Sequence, residues 1–497
     1  MKILLVYPRY PDTFWGFKHA LEFISAKSAF PPLGLLTVAA MTPPDWEKKL
    51  VDLNVEELKD ADLAWADLVF VSAMSIQAQS VDEVLERCRK RGVKVVAGGP
   101  HFTHLFEQIK GVDHFLLGEV EEIFPTFARD LAQGQAQPLY KAPDYPELNQ
   151  TPAPQWDLID FSNYTSMLMQ YSRGCPFDCE FCDVVALFGR RPRYKSPEQF
   201  LAELDGLYQA GWRGNVMIVD DNFIGNKTKA LELLKKLVDW QEARGYPFFF
   251  VTQASINMAD QKELLQLMAK ADFKQVFIGI ETPSAASLKE CDKTQNLNRD
   301  LLAAVKMIHS YGMEVMAGFI VGFDADPPTI FDDQQNFIET AAIPTAMVGV
   351  LMVWYGTRLW DRMQREGRLL GHSSGDNVMD VAALNFEPKM DREVLVEGYK
   401  DLLKKLYRPE AYYNRVLAFF RDYIPQKNGP GRKPTKRELA AFFRILLKLG
   451  LLDSNRRLFW RFFLISLFNG YDIGMAASFA ANGYHFWTTS RSLIDRK

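Results

Sequence analysis

Cysteine is scarce in this chain: five residues in 497, at Cys88, Cys175, Cys179, Cys182 and Cys291. A secreted disulfide scaffold packs more cysteines into a shorter sequence, so that class is excluded. An excess of one charge is also missing. Lys and Arg total 58 against 62 Asp and Glu, a formal net charge of −4. There is no basic footprint, and nucleic acid is not a favoured partner. Long apolar runs are absent as well. The opening Met1–Pro8 is too short for the apolar region of a signal peptide, and Pro8 interrupts it, so a cytoplasmic protein is expected. The seven histidines are scattered, and no repeat or low-complexity tract stands out. The remaining composition, 48% hydrophobic and 24% charged, is that of a globular protein. A length of 497 residues predicts two or three domains.

Residues 1–134 alternate short apolar runs (2–8, 49–54, 68–74, 94–99, 114–119) with amphipathic stretches such as 81–91 and 119–133. This alternation predicts an α/β domain with a doubly wound parallel sheet, which binds ligands at the carboxyl ends of its strands. Residues 135–164 carry Pro138, Pro143, Pro146, Pro152 and Pro154, lose periodicity, and read as a linker. Residues 165–356 repeat the alternation on a larger scale. Six strands are expected, at 166–172, 215–221, 248–255, 275–281, 314–323 and 346–355, with helical patterns between them. Six βα units predict a partial (βα)6, TIM-like barrel whose reactive groups gather where strands end. Residues 357–497 read as a helical C-terminal domain, unusually aromatic between Arg456 and Arg491.

Three cysteines fall within eight residues, in Tyr171-Ser-Arg-Gly-Cys175-Pro-Phe-Asp-Cys179-Glu-Phe-Cys182-Asp. The spacing C-x3-C-x2-C lies just after the first barrel strand. Thiolates are the usual ligands of iron–sulfur clusters. Three on a four-iron cubane leave one iron open to a substrate, unlike a four-thiolate electron carrier. The alternatives are a zinc knuckle or three buried thiols. Zinc sites usually use four ligands in paired C-x2-C units, and no fourth Cys or His sits nearby.

This loop, with Phe181 before its last cysteine, resembles the signature of radical S-adenosylmethionine (SAM) enzymes. The resemblance implies a 4Fe–4S cluster on Cys175, Cys179 and Cys182, with SAM chelating the open iron. It also implies SAM contacts at later strand ends: Asp220, Asp221 and Asn222 at the amino group, Gln253 and Ser255, then Glu281, at the ribose and carboxylate, and Gly322 on the adenine side. Read as residues alone, Asp220 and Asp221 also suit helix N-caps, and Glu281 a lysine partner.

A doubly wound domain ahead of such a barrel resembles the cobalamin-binding class of the same superfamily. Many of those domains carry Asp-x-His-x-x-Gly where this chain has Asp52-Leu53-Asn54-Val55-Glu56-Glu57. Asn54 stands in place of the histidine, so no protein His is expected below cobalt. The resemblance places Ser72 and Ser75 on the cobalamin nucleotide loop, and Gly98 and Gly99 beside its tail. The plainer alternative is a flavodoxin-like domain that binds substrate or nothing.

The resemblance covers Lys2 to about Trp360, and the aromatic tail is similar to that of hopanoid methylases. It implies a methyltransferase acting on an unactivated carbon through a 5′-deoxyadenosyl radical and methylcobalamin. The alternatives are a non-methylating rearrangement, cyclisation or oxidation, and a non-catalytic carrier or sensor. The substrate class stays open among a small molecule, a lipid, and a peptide or protein, and an external electron donor is required. His101 and His104, three apart, read as a solvated loop or a metal pair. Cys88 reads as structural, and Cys291 lies on the active-site side of the barrel. The aromatic tail reads as a helical cap on the barrel or as an interfacial pair meeting membrane.

Overall fold

The fold is taken from a computed structural model, which describes residues 1–379, 384–429 and 434–494. The apolar runs become strands. In the N-terminal sheet these are Lys2–Tyr7 (β1), Glu47–Asp52 (β2), Leu68–Ser72 (β3), Lys94–Gly98 (β4), His114–Leu117 (β5) and Leu139–Lys141 (β6). All pair in parallel, in the order β2-β1-β3-β4-β5-β6. The direction of winding reverses between β1 and β3, and ligands of such sheets sit at that switch point. The sixth strand lies within the stretch read as a linker. It is an edge strand of three residues, too short to leave a periodic signal.

The second sheet contains Ser166–Met169 (β7), a small hairpin of Ser172–Arg173 (β8) and Arg193–Tyr194 (β9) beside it, then Gly214–Ile218 (β10), Phe248–Gln253 (β11), Phe273–Glu281 (β12), Glu314–Val321 (β13) and Ala346–Val350 (β14). Six strands run β14-β13-β12-β11-β10-β7, and the ladder ends at β7 and β14, an open barrel. Covering helices begin where side chains cap them: Ser196 accepts from Gln199 N–H, Asn226 from Lys229 N–H and Asp300 from Ala303 N–H. The strands alternate in burial. Val216, Ile218, Val276, Ile278, Ala317 and Phe319 are buried against these helices. Met217, Phe277, Gly279, Met316, Gly318 and Ile320, on the opposite face, are only half-buried. The inward face is therefore largely apolar and less tightly covered than the outward one.

The C-terminal helices close the lower side of the barrel. Tyr399 Oη donates to Val348 O at 3.0 Å, and Tyr407 Oη donates to Ala346 O. Phe459, Phe462, Phe463, Phe479 and Phe486 are buried. The aromatic tail is thus mainly core of a helical cap. Phe14 stacks on Phe486 at 5.6 Å, and Phe14 O lies 2.9 Å from His485 Nε2, so the first loop packs on the last described helix. No described helix is long and apolar enough to cross a membrane.

Glu314 lies buried at the start of β13. It accepts from Gln275 Nε2 at 2.7 Å and Thr345 Oγ1 at 2.8 Å. Burial pushes its carboxyl up to about 7, against these two bonds. A raised carboxyl gives stability that is full below the unfolded value of 4.5 and is lost as pH rises through about 7. Glu314→Gln removes that loss. Its melting temperature relative to the parent should be higher near pH 8 than near pH 5, by at most about 3 kcal/mol in stability. Thermal melts at the two pH values check this, and a difference independent of pH counts against it.

Candidate cofactor site

The cysteine loop leaves β7 at the carboxyl end of the barrel. Its main chain is held by buried acids. Asp220, fully buried, accepts from Tyr171 N–H at 2.7 Å and Ser172 Oγ at 2.6 Å. Asp221 accepts from Gly174 N–H at 2.8 Å. Burial pushes Asp220 up to about 6 and Asp221 up to about 7, against the bonds they accept. Asp220 has no surface left for a ligand, which corrects its expected place on the SAM amino group: it braces the loop. Neither aspartate is a helix N-cap.

Asn222 bridges the loop to the next strand end. Its Nδ2 lies 3.9 Å from Cys175 Sγ and 3.2 Å from Ser255 Oγ, and its Oδ1 accepts from Ser255 N–H. Gln295 Nε2 donates to Cys179 Sγ at 3.6 Å. Glu180, between the second and third cysteines, receives a forked contact from Arg362 at 2.8 and 2.9 Å. Its own N–H donates to Cys291 O at 2.9 Å. Cys291 is buried, and its main chain props the loop.

Glu281 adopts a left-handed conformation (φ 63°) at a register shift between β12 and β13, a strain of about 1–2 kcal/mol for a residue with a side chain. The twist turns its carboxylate back over Gly279 to Lys293 Nζ at 2.5 Å. Burial alone lowers an ammonium, but Glu281, Cys179 and Cys182 hold Lys293 well above its usual value. Gln253, at the end of β11, is half-buried on the same rim. Gly322 has φ 104° and donates N–H to Asp326 at 2.8 Å, a conformation that favours glycine.

Burial pushes the Cys175 and Cys182 thiols up, so they become thiolates only against a cation. Among the described residues, no three His, Cys, Asp or Glu side chains form a single-ion site. A cluster instead spreads its thiolates over several irons. Three thiols on one loop, met by amide donors and the Lys293 ammonium, fit such a group.

The N-terminal sheet meets this loop directly. Glu119, just past β5, accepts from Arg173 Nη1 at 2.6 Å and from Arg193 at 2.5 and 2.9 Å. Arg173 also pairs with Glu121 at 2.7 Å. All four side chains are buried or nearly so. At the switch point, Tyr10 Oη lies 3.5 Å from Met74 Sδ. The Asn54 amide is committed within the chain: Nδ2 donates to Asp52 Oδ1 and Pro8 O, and Oδ1 accepts from Tyr10 N–H. These bonds shape the loop, and Asn54 stays half-exposed at the switch point. Ser72 ends β3, and Ser75 opens a short turn against Gly375. Gly98 and Gly99 end β4. Gly99 (φ 90°) comes so close to Ser72 that an added Cβ would stand 2.7 Å from its Oγ. His101 and His104 lie on the helix Pro100–Leu105, not in a solvated loop, and His101 is buried. His101 Nδ1 and His104 Nε2 have no partner among the described groups. Orphaned polar atoms beside a tight glycine turn fit the amide-rich periphery of cobalamin. Cys88 is buried in the helix Ala78–Arg91, as its structural reading requires.

Sequence reasoning missed Glu119, Arg173, Arg193, Glu180 and Lys293. Arg173 and Glu180 lie inside the cysteine segment, whereas Glu119, Arg193 and Lys293 carry no local signal.

A parallel sheet with a topological switch point is thus joined by buried ion pairs to an open barrel that carries a three-cysteine loop. The comparisons agree. Residues 23–128 match the B12 binding domain, residues 169–330 the radical SAM superfamily, and residues 357–497 a domain of unknown function, DUF4070. An uncharacterized methyltransferase of Synechocystis sp. is 40% identical over 463 residues, 93% of this chain and 86% of that one. The hopanoid C-2 methylase of Rhodopseudomonas palustris is 35% identical, covering 94% and 90%. Among solved structures, the radical SAM methyltransferase TsrM of Kitasatospora setae, with cobalamin and a 4Fe–4S cluster bound, superposes with a TM-score of 0.62 at 13% identity, over 99% of both chains. The chain belongs to the cobalamin-binding radical SAM methyltransferase family. Membership brings three cofactors, the 4Fe–4S cluster, SAM and cobalamin.

Proposed function

We propose that this enzyme transfers a methyl group to an unactivated carbon of an apolar substrate held in the barrel lumen, by way of a substrate radical. The observation that carries the reading is the buried link from Glu119 to Arg173, two residues before Cys175. It sets the cysteine loop against the carboxyl end of the B12-type sheet, the end at which both cofactors would be held. When bound, the cluster with SAM supplies a 5′-deoxyadenosyl radical that removes a hydrogen atom, and cobalamin supplies the methyl group.

The chain's own residues do the rest. Cys175, Cys179 and Cys182 hold the cluster. Asn222 and Gln295 aim N–H groups at two of the sulfurs, a contact that tunes cluster potential. Lys293 offsets thiolate charge. Asp221, Ser255 and Gln253 line the rim where SAM docks, and Ser72, Ser75, Gly98 and Gly99 border the cobalamin crevice. Phe277 and Met316, with Trp15 set edge-on to Phe277 at 5.3 Å, form an apolar wall that excludes water from a carbon radical. This lining, rather than the aromatic tail, favours an apolar substrate such as the hopanoid named for the R. palustris relative. An external donor supplies the electron.

The test is anaerobic reconstitution with iron, sulfide and hydroxocobalamin, then SAM, a strong reductant and a hopanoid. The expected result is 5′-deoxyadenosine, retained cobalamin absorbance, and product heavier by one CH2. Deoxyadenosine with a rearranged or oxidised product of no added carbon would replace methyl transfer by the non-methylating reading.

A further inference from the structure

The helices Lys436–Leu447 and Arg456–Phe468 form a helical hairpin joined through a π turn at Lys448–Leu452. Their inner faces are committed. Ala441, Ile445, Leu449, Phe459, Phe462 and Phe463 are buried. Arg437 donates to Ile24 O, Arg444 to Phe23 O, and Lys448 pairs with Glu22. The outer face is thereby held rigidly outward, and it is apolar. Among the described residues, eight of the eighteen exposed large apolar side chains lie between Leu439 and Phe468. Leu439, Phe443 and Leu447 recur every fourth residue on one helix, a single stripe. Phe442 meets Phe463 across the hairpin. Beside that contact the second helix exposes Leu464, Leu467 and Phe468. Phe443 is 65% exposed, Leu452 at the turn 73% and Phe468 83%. Isolated apolar residues are normal on a surface, but a contiguous protruding patch marks an interaction site.

Charge selects the partner. Residues 434–470 hold seven Lys and Arg against two Asp and Glu, within a chain of net charge −4. Lys436, Arg456, Arg457 and Arg461 are exposed on this segment, and Arg461 has only a distant acid, Glu410 at 3.8 Å. A second copy docking through the same face would bring these cations against themselves, since a two-fold interface is self-complementary. An anionic bilayer satisfies both halves, taking the apolar side chains into the acyl boundary and the cations at its headgroups.

We infer that this hairpin face seats the enzyme on an anionic membrane surface, without spanning it. The face is independent of the chemistry in the barrel. Full-length protein spun with vesicles of phosphatidylcholine plus phosphatidylglycerol should co-sediment, less so as salt rises, and should stay in solution with phosphatidylcholine alone. The double change Phe443→Asp and Phe468→Asp should weaken binding about tenfold or more. The double change Arg456→Glu and Arg457→Glu should weaken it and flatten the salt dependence. Both variants should keep the parent circular dichroism and SAM cleavage. The inference is overturned if the parent stays in solution with both vesicles, or if the Asp variant binds as well as the parent. It is also overturned if light scattering finds a dimer that Phe443→Asp and Phe468→Asp split while vesicle binding is absent.

Discussion

Cys179→Ala is expected to give a folded protein that retains cobalamin but lacks the iron–sulfur absorbance and forms no 5′-deoxyadenosine after reconstitution. The effect is all-or-none because three thiolates already leave one iron open for SAM, and a second open iron leaves the cubane held by only two thiolates. The fold should survive. The Cys179 thiol accepts one long contact from Gln295, whereas the loop is shaped by Asp220, Asp221, Glu180 and Glu119. Loss of the thiol should therefore cost no more than about 1 kcal/mol. Iron content, the visible spectrum and deoxyadenosine by mass spectrometry read the first part, and circular dichroism reads the second. Cys88→Ala is the control, with iron content unchanged. Parent-level SAM cleavage by Cys179→Ala would remove this residue from the cluster.

The second large effect is at Glu119. Its carboxylate neutralises two guanidiniums, Arg173 and Arg193, on side chains exposed by no more than 12%. Glu119→Ala leaves Arg193 without a carboxylate and Arg173 with only Glu121. Removing one member of a buried ion network costs about 3–5 kcal/mol, because the remaining charges stay desolvated. Arg193 keeps the carbonyls of Pro146 and Phe188, so the cost should fall at the lower end of that range. The same change frees Arg173 beside the cluster loop, so cluster retention should fall together with stability. Denaturant unfolding gives the first quantity and iron content the second. If stability drops while iron content and SAM cleavage stay at parent level, the link holds the two sheets together but does not position the loop.

The main architecture was legible because its strands are near-continuous apolar runs separated by helical periodicity, the pattern of a sheet covered on both faces. Strand β6 was not legible, since three edge residues carry no period. The cysteine motif announced its own chemistry. The roles of its neighbours did not follow from identity alone. Asp220 sits at the expected strand end, yet its carboxylate is spent on Tyr171 N–H and Ser172 Oγ, and that is decided by tertiary approach. Glu119 and Arg193 are 74 positions apart, so no local signal joins them. Phe443 and Phe468 read as ordinary members of aromatic helices, and only packing shows which rings face outward.

Phe14 rests on Phe486 and His485, a contact spanning 471 positions. During synthesis the early loop is made long before its cover. At usual elongation rates that interval is roughly 25–95 seconds. Throughout it Phe14 and Phe17 lack the rings of His485 and Phe486 that cover them in the fold. That contact therefore forms only once the last described helix has been made, whatever order the two sheets fold in.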